Sequence, residues 1–502
     1  MARFIVSHRL SGTTNRKESR ERFDKLESTL RADSAIKFDN KPLSDEARRI
    51  LHIEGDPQEL EAQRANWDSD VLIEPERLRY KAITSLSETA MYSLQAQNPG
   101  LGTAFKATIQ GAGQAATNTQ TTLFLAGLYP GTAGTSIRAA TNSQGEVSFA
   151  YDPTVFAPSL LFIEPHDSYW EGWQTSPVSG GLFNLPLLPK DGPISWWHRV
   201  VGMFASSPER GAGIKVGIAD TGVGPHPYLD HVRNLGSILN GAYDSSPSSG
   251  TDIEEHGTHV SGLIGARPAI GSGGYAGIAE GAEVMSLRIF AESSGANQGD
   301  IAQAIETLSL NESADLINLS LGGPVPSNIE RDAIRAAFEN GTLCIISAGN
   351  GYGQPVMYPA AYPEAIAVSA VGLLGIDPPG TAAANCVPSQ ADQFAGWLYL
   401  GNFSNIGPQI ACTAPGVGIV STVPATKEIE APYADMSGTS LAAPVVCASL
   451  ATLLSQYPAY SAMRRDTSRA QCAAAVLAAS LRPLGLNPIY AGGGLCQSWP
   501  SY

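Results

Sequence analysis

The sequence predicts an α/β protein: a mostly parallel sheet with helices on both faces, preceded by a small α+β domain and a small β-sandwich. Three observations predict it. Past residue 194, apolar runs such as Gly213–Asp220, Leu316–Leu321 and Leu343–Asn350 alternate with glycine turns and helical stretches; that alternation indicates βαβ units. Residues 1–80 are densely charged, holding 15 of the 32 Lys and Arg and 16 of the 47 Asp and Glu. Between Gly102 and Trp173 the charge thins out and Thr, Gly and Ala rise. The expected parts are therefore 1–83, 100–174, a Pro-, Gly- and Ser-rich linker at 175–193, and 194–502.

A chain of 502 residues, 43% hydrophobic and 16% charged, has the composition of a multi-domain globular protein. Its net charge of −15 argues against nucleic-acid binding. No apolar run is long enough to span a bilayer, and only Phe4-Ile5-Val6 precedes the first charged stretch. With no signal peptide visible and no membrane segment, a cytoplasmic location is expected. The six cysteines include no Cys-x-x-Cys pair. Cys344 and Cys447 lie in apolar runs and are expected to be buried thiols; Cys386–Cys412 and Cys472–Cys496 are candidate bridges.

In the first part, Phe4–Val6 reads as a strand. Lys17–Leu30 is an amphipathic helix with Phe23, Leu26 and Leu30 on one face. Ile36–Phe38 and Ile50–Ile53 are strands, Pro57–Ala65 starts as a helix should, and Val71–Ile73 closes the set. The order β-α-β-β-α-β is that of a ferredoxin-like domain. In the second part, Ala104–Ile109, Thr122–Leu125, Ser136–Ala139, Val147–Tyr151 and Leu160–Ile163 alternate between turn signals. This is the pattern of a small antiparallel sandwich. It carries no catalytic constellation and reads as a spacer or binding module.

The third part carries chemistry. Gly213–Asp220 is an apolar strand ending in an acid before a glycine turn, where functional groups collect in an open α/β sheet. His256 precedes a glycine and an apolar helical run. Its spacing to His259 is not the His-x-x-x-His of helical zinc sites. Leu343–Asn350 ends in an amide that can donate to an oxyanion. Met436–Pro444 runs a Gly-Thr-Ser turn into the apolar stretch Leu441–Leu454. That puts Ser440 at a helix N-terminus, where a free backbone N–H can stabilise an anion. Pro444 is expected in the first turn.

Asp220, His256 and Ser440, with Asn350 between the last two, stand in one of the known chain orders of a serine triad. Residues 194–496 resemble the catalytic domain of a subtilisin-like serine protease. The matching stretches are Asp220-Thr-Gly-Val, His256-Gly-Thr-His-Val, Ser320-Leu-Gly-Gly, Ala348-Gly-Asn350, Phe403-Ser-Asn-Ile-Gly-Pro, Ala414-Pro-Gly and Gly438-Thr-Ser440-Leu-Ala-Ala-Pro. The resemblance implies Ser440 as nucleophile, His256 as base, Asp220 as its orienting acid and Asn350 as oxyanion donor. It implies a substrate groove between Ser320-Leu321-Gly322 and Ser294-Gly295-Ala296, binding an extended polypeptide by β-augmentation. Leu441 replaces the family's Met and Val445 its common His. Met357 stands where glycine often lines the specificity pocket, which implies preference for small or medium side chains. Tyr228 replaces an acid that can serve calcium, so no cofactor and no metal is assigned, with calcium left open as the alternative.

The first domain resembles the family's propeptide. This implies an intramolecular inhibitor whose tail, Tyr80–Thr84, lies along the groove, and a precursor that cuts itself between about residues 80 and 100. The expected function is a serine endopeptidase acting through an acyl-enzyme. Two rivals share the motifs: a peptide ligase or macrocyclase with Gly372–Leu400 as a water-shielding insertion, and an inactive scaffold.

Overall fold

The computed structural model describes residues 2–12, 16–34, 36–38, 50–64, 67–68, 70–82, 104–165, 168–292, 294–427 and 429–499. In the first domain, strand Ala2–His8 lies between Ile50–Gly55 and Val71–Pro75, antiparallel to both, with Lys37–Phe38 beyond Ile50–Gly55. Helices Arg16–Arg31 and Pro57–Arg64 complete a split β-α-β arrangement. Side chains alternate between the two faces of a strand. Phe4 and Val6 pack with Phe23, Leu26, Leu30 and Leu60 in the domain's own core. Ile5 and Ile50 face the other way and join the core of the large domain, in one cluster with Ile301 and Ile329. Glu74 accepts at 2.5 Å from the N–H of Asn328, the first residue of helix Asn328–Glu339. A carboxylate at a helix N-terminus is electrostatically favoured.

The second domain has two sheets. One runs Glu146–Ala150, Ala104–Gly111, Gly181–Leu185; the other runs Gly172–Thr175, Phe156–Glu164, Gln120–Gly127, Thr135–Ala140. The core between them includes Phe105, Ile109, Leu123, Phe149, Leu161 and Leu185. This corrects the expected linker at 175–193: Gly181–Leu185 is a sandwich strand, pairing parallel with Ala104–Gly111. Its flanking Pro and Gly residues disguised a short alternating run whose Leu185 closes the core.

The large domain is built on a ten-stranded mixed sheet. Lys215–Asp220 sits inside it between Glu283–Arg288 and Leu316–Leu319, parallel to both, and Leu343–Ser347 and Ala365–Leu373 follow in parallel. Helix Thr439–Ser455 is buried along Thr439–Leu454, which is why it is apolar on every side. It begins earlier than expected, so Pro444 lies inside the helix and not in its first turn. A proline N–H is missing there, leaving the Ser440 carbonyl without its helical partner. The Ser320 hydroxyl donates to that carbonyl at 2.6 Å instead.

All six cysteines are free, so neither candidate bridge forms. Gly372–Leu400, expected as an insertion, returns at the sheet edge as Phe394–Ala395 and Leu398–Leu400. It holds the sandwich: the N–H of Trp173 donates to Gly380 and that of Ala382 to Glu171, both at 2.9 Å. The Glu171 N–H donates to Asp435 at 2.9 Å. Asp435 is 2% exposed. Burial pushes its carboxyl up to about 7, against that N–H and with Asp377 adding to the rise. The fold therefore favours the protonated acid. Its contribution is complete below the unfolded value of 3.8 and is lost as pH rises through about 7. Asp435→Asn keeps an oxygen for Glu171 and cannot ionise. Its thermal midpoint should gain on wild type between about pH 4 and about pH 7 and run parallel above; parallel pH profiles throughout in thermal unfolding would refute this.

Candidate active site

Parallel strands deliver their carboxyl ends to one rim of a sheet. Asp220 ends the first such strand, Ser320 follows the second and Asn350 follows the third. His256 opens helix His256–Gly265 on the same rim, and Glu255 before it takes the left-handed conformation at φ 71°. A non-glycine residue there is strained and must be held by its surroundings. A Cβ added at Gly257 would lie 2.1 Å from the Gly222 carbonyl oxygen, so the two turns touch backbone to backbone. Thr221 pins them: its hydroxyl accepts from the Gly257 N–H at 2.8 Å and donates to Asp252 at 2.8 Å. Asp252 also accepts from the N–H and hydroxyl of Thr258, at 2.8 and 2.5 Å.

The result is a buried contact of 2.7 Å between His256 Nδ1 and Asp220 Oδ1. That contact sets the imidazole's orientation and stabilises its cation. Nε2 of His256 and Oγ of Ser440 are both buried, and neither makes a hydrogen bond. Asn350 Oδ1 accepts from the backbone N–H and the hydroxyl of Thr439, at 3.0 and 2.8 Å. A backbone N–H only donates, so these bonds fix which way the amide points. Nδ2 of Asn350 is thereby turned away from Thr439, buried and without a partner. Buried unsatisfied polar atoms each cost about 1–3 kcal/mol. Asp220, His256, Asn350 and Ser440 each carry one.

The groove holds the chain's own strand Leu78–Lys81. On one side Arg79 pairs with Ala296 and Leu78 with Asn297; on the other Lys81 pairs with Leu321 and Tyr80 with Gly322. Next comes Ala82. Its N–H donates to the Ser320 carbonyl at 3.1 Å, and its carbonyl accepts from the Ser440 N–H at 3.1 Å. Gly295 lies under this strand: a Cβ there would meet Arg79 O at 2.5 Å and the Tyr80 ring at 2.9 Å. Ser294 does not join the pairing, which begins at Ala296; its N–H turns back to Ala291 at 3.3 Å. Met357 packs beside the groove floor, where a Cβ at Gly322 would meet its Cβ at 3.0 Å. Thr84, in the expected tail, lies outside the described residues.

Several supporting residues had no readable role, although Thr439 and Asn405 lie in the matched stretches. Thr439 and Asp252 look like ordinary polar residues in loops and turns. Glu330 looks like a charge on an amphipathic helix. Asn405 steadies the strand end through Gly351 N–H at 2.7 Å and the carbonyls of Ala348 and Pro355 at 3.2 and 3.0 Å. His259 is structural: Nε2 faces the carbonyls of Ile419 and Ala434 at 3.0 and 3.2 Å, and burial lowers it to about 3. Tyr228 packs its ring edge-on against His226 at 5.1 Å between centroids. A ring in that position does not fit a calcium ligand. Among the described residues one group has metal-ligand spacing, His8, Asp68 and Asp70, and Arg22 lies 3.6 Å from Asp70.

The Asp220–His256 pair lies at the rim where helix Thr439–Ser455 presents Ser440, and Asn350 is bonded to Thr439 beside it; this is the residue set of a serine hydrolase on an α/β sheet. The Subtilase family model matches residues 211–487, and the chain belongs to that family. Subtilisin Savinase of Lederbergia lenta is 32% identical over 251 residues, covering 50% of this chain and 80% of that protein. Minor extracellular protease Epr of Bacillus subtilis (strain 168) is 32% identical over 252 residues, covering 50% of this chain but 33% of its own length. In fold, the chain is similar to fervidolysin from Fervidobacterium pennivorans, described as a keratinolytic enzyme related to subtilisin. The TM-score is 0.58 at 18% identity, over 99% of this chain and 60% of that one. The class is that of the subtilisin-like serine peptidases.

Thr439→Val removes one of the two donors that hold Asn350, together with the acceptor of the Gly349 N–H, and keeps the backbone N–H bond and the groove strands. It should lower kcat about 10-fold with KM within about 2-fold, measured on a peptide substrate. Asn350→Ala should cost on the order of 10²–10³ in kcat, a magnitude whose source is itself a subtilisin. Unchanged kcat in both would remove Asn350 from the oxyanion site.

Proposed function

We propose that the protein is a serine endopeptidase of extended polypeptide segments, made as a self-inhibited precursor that cuts itself after Ala82. One observation carries the reading: the Ala82 carbonyl accepts a hydrogen bond from the backbone N–H of Ser440. A carbonyl so held is polarised and sits beside the hydroxyl that would attack it. The strand leading to it is paired on both sides, as an unfolded or loop segment of substrate would be.

The chemistry follows from the residues. His256 Nε2 takes the proton of the Ser440 hydroxyl as Oγ bonds to the carbonyl carbon of Ala82. Asp220 balances the charge of the imidazolium. The oxyanion gains the Asn350 Nδ2 donor, which has no other partner. As the tetrahedral species collapses, His256 passes its proton to the departing amine of Ile83. Water then repeats the sequence on the acyl-enzyme and releases the Ala82 carboxylate.

The first domain acts as the inhibitor. Its Ile5 and Ile50 share a core with the catalytic domain, which supports retention of residues 1–82 in the groove after the cut. The sandwich would remain joined to the catalytic domain. Intact mass tests the precursor. Wild type should resolve into a fragment ending at Ala82 and one beginning at Ile83, and Ser440→Ala should stay whole. Identical full-length masses for both proteins would overturn self-processing.

A further inference from the structure

We propose that the groove selects polypeptides carrying arginine four residues and lysine two residues before the cleaved bond, through Glu330 and Glu254, with a small residue at the bond itself. The proposal rests on the reading that residues 78–82 occupy the groove as substrate does.

Alternation in a strand puts residues 79 and 81 on one face. Both are bases, and each meets an acid of the catalytic domain. Arg79 is 1% exposed and Glu330 0%. The contact is bidentate, Nε to Oε1 at 2.8 Å and Nη2 to Oε2 at 2.5 Å. Two parallel N–H···O bonds match a planar guanidinium and no other side chain.

The pocket belongs to the catalytic domain. Ser327 caps helix Asn328–Glu339, its hydroxyl accepting the Glu330 N–H at 3.1 Å. Tyr362 locks that cap, accepting the Ser327 N–H at 2.6 Å and donating to its carbonyl at 2.7 Å. Gly323 leaves the passage open: a Cβ there would meet Arg79 Nη1 at 2.9 Å. A dry carboxylate without a cation is strongly disfavoured. The pocket therefore discriminates against a neutral or acidic side chain.

The Lys81 ammonium pairs with Glu254, two residues before His256. Glu254 is 23% exposed at its side chain, so solvent weakens this pair and makes it the lesser selector. Ala82 is 5% exposed, and a small residue suits a floor narrowed by Met357. The charge beyond the first domain agrees: residues 81–502 hold 17 Lys and Arg against 31 Asp and Glu.

A rival account makes the Arg79–Glu330 pair only a clasp for the first domain. Free peptides separate the two. The self-processed full chain is given the peptide Leu-Arg-Tyr-Lys-Ala-Ile-Thr-Ser, copied from residues 78–85, and versions with Arg79→Leu or Lys81→Leu. Residual inhibition by the first domain slows all peptides alike and drops out of the ratios. In wild type, Arg79→Leu in the peptide should lower kcat/KM about 100-fold and Lys81→Leu about 5-fold. In the Glu330→Gln enzyme the preference for arginine should shrink to about 3-fold or less, while the leucine peptide is cut at least as fast as by wild type. That second rate also reports that the variant is folded. Equal cleavage of arginine and leucine peptides by wild type, or an arginine preference undiminished in Glu330→Gln, overturns the proposal and leaves the endopeptidase reading standing. If a fluorophosphonate labels Ser440 and no peptide is cut, the endopeptidase reading falls and this inference with it.

Discussion

The N-terminus of helix Thr439–Ser455 is buried, and its unpaired backbone groups need partners. The first N–H groups of any helix have none within it, and burial makes each expensive to leave bare. Thr439 gives its N–H to Asn350. Ser440 gives its N–H to Ala82. The Ser440 carbonyl, deprived of a donor by Pro444, takes the Ser320 hydroxyl. Those three bonds tie Ser440, the Asn350 amide and the Ser320 edge to one helix end. The catalytic arrangement is thus the solution to a capping problem, with the Ala82 carbonyl standing where a reacting group must stand.

The same economy governs the first domain. Its central strand is buried on both faces, one in its own core and one against helices Gln298–Glu306 and Asn328–Glu339. A Cβ at Gly299 would meet the His52 ring at 2.9 Å and Ile5 at 3.1 Å, so the domains approach without a gap. Such docking places residues 78–82 in the groove as an intramolecular ligand at high effective concentration. Asp332 adds polar registration by accepting from the Leu10 N–H at 2.7 Å and the Ser11 hydroxyl at 2.6 Å.

The parts of the fold that were legible had period. Alternation located the strands around Ala104–Gly111 and Gln120–Gly127, and helical spacing located Arg16–Arg31. Asp220 and Asn350 were legible at the end of an apolar strand and His256 and Ser440 at the start of an apolar helix, each near a glycine. What was illegible depends on distance in the fold. Pro444 could be assigned to a first turn only while the helix start was unknown. Gly181–Leu185 pairs with a strand more than one sheet away in the chain, so its Pro- and Gly-rich flanks dominated the reading. Glu330 lies 251 residues from Arg79, and neither residue carries local evidence of the other.

On the proposed reading, the burial of Glu330 links inhibition to selectivity. With the groove filled, Glu330 is out of water and needs a cation as its partner. Arg79 supplies it for the docked first domain, and on the proposed reading a substrate arginine would supply it in that domain's place. The energy that seats the first domain and the energy that ranks substrates then come from one pocket. Weakening the carboxylate would loosen the inhibitor and relax the preference together, whereas changes at Ile5 or Ile50 would loosen the inhibitor alone. A protease regulated by its own sequence can keep a broad backbone-reading groove and still be selective, because the side chain that silences it also defines what it recognises.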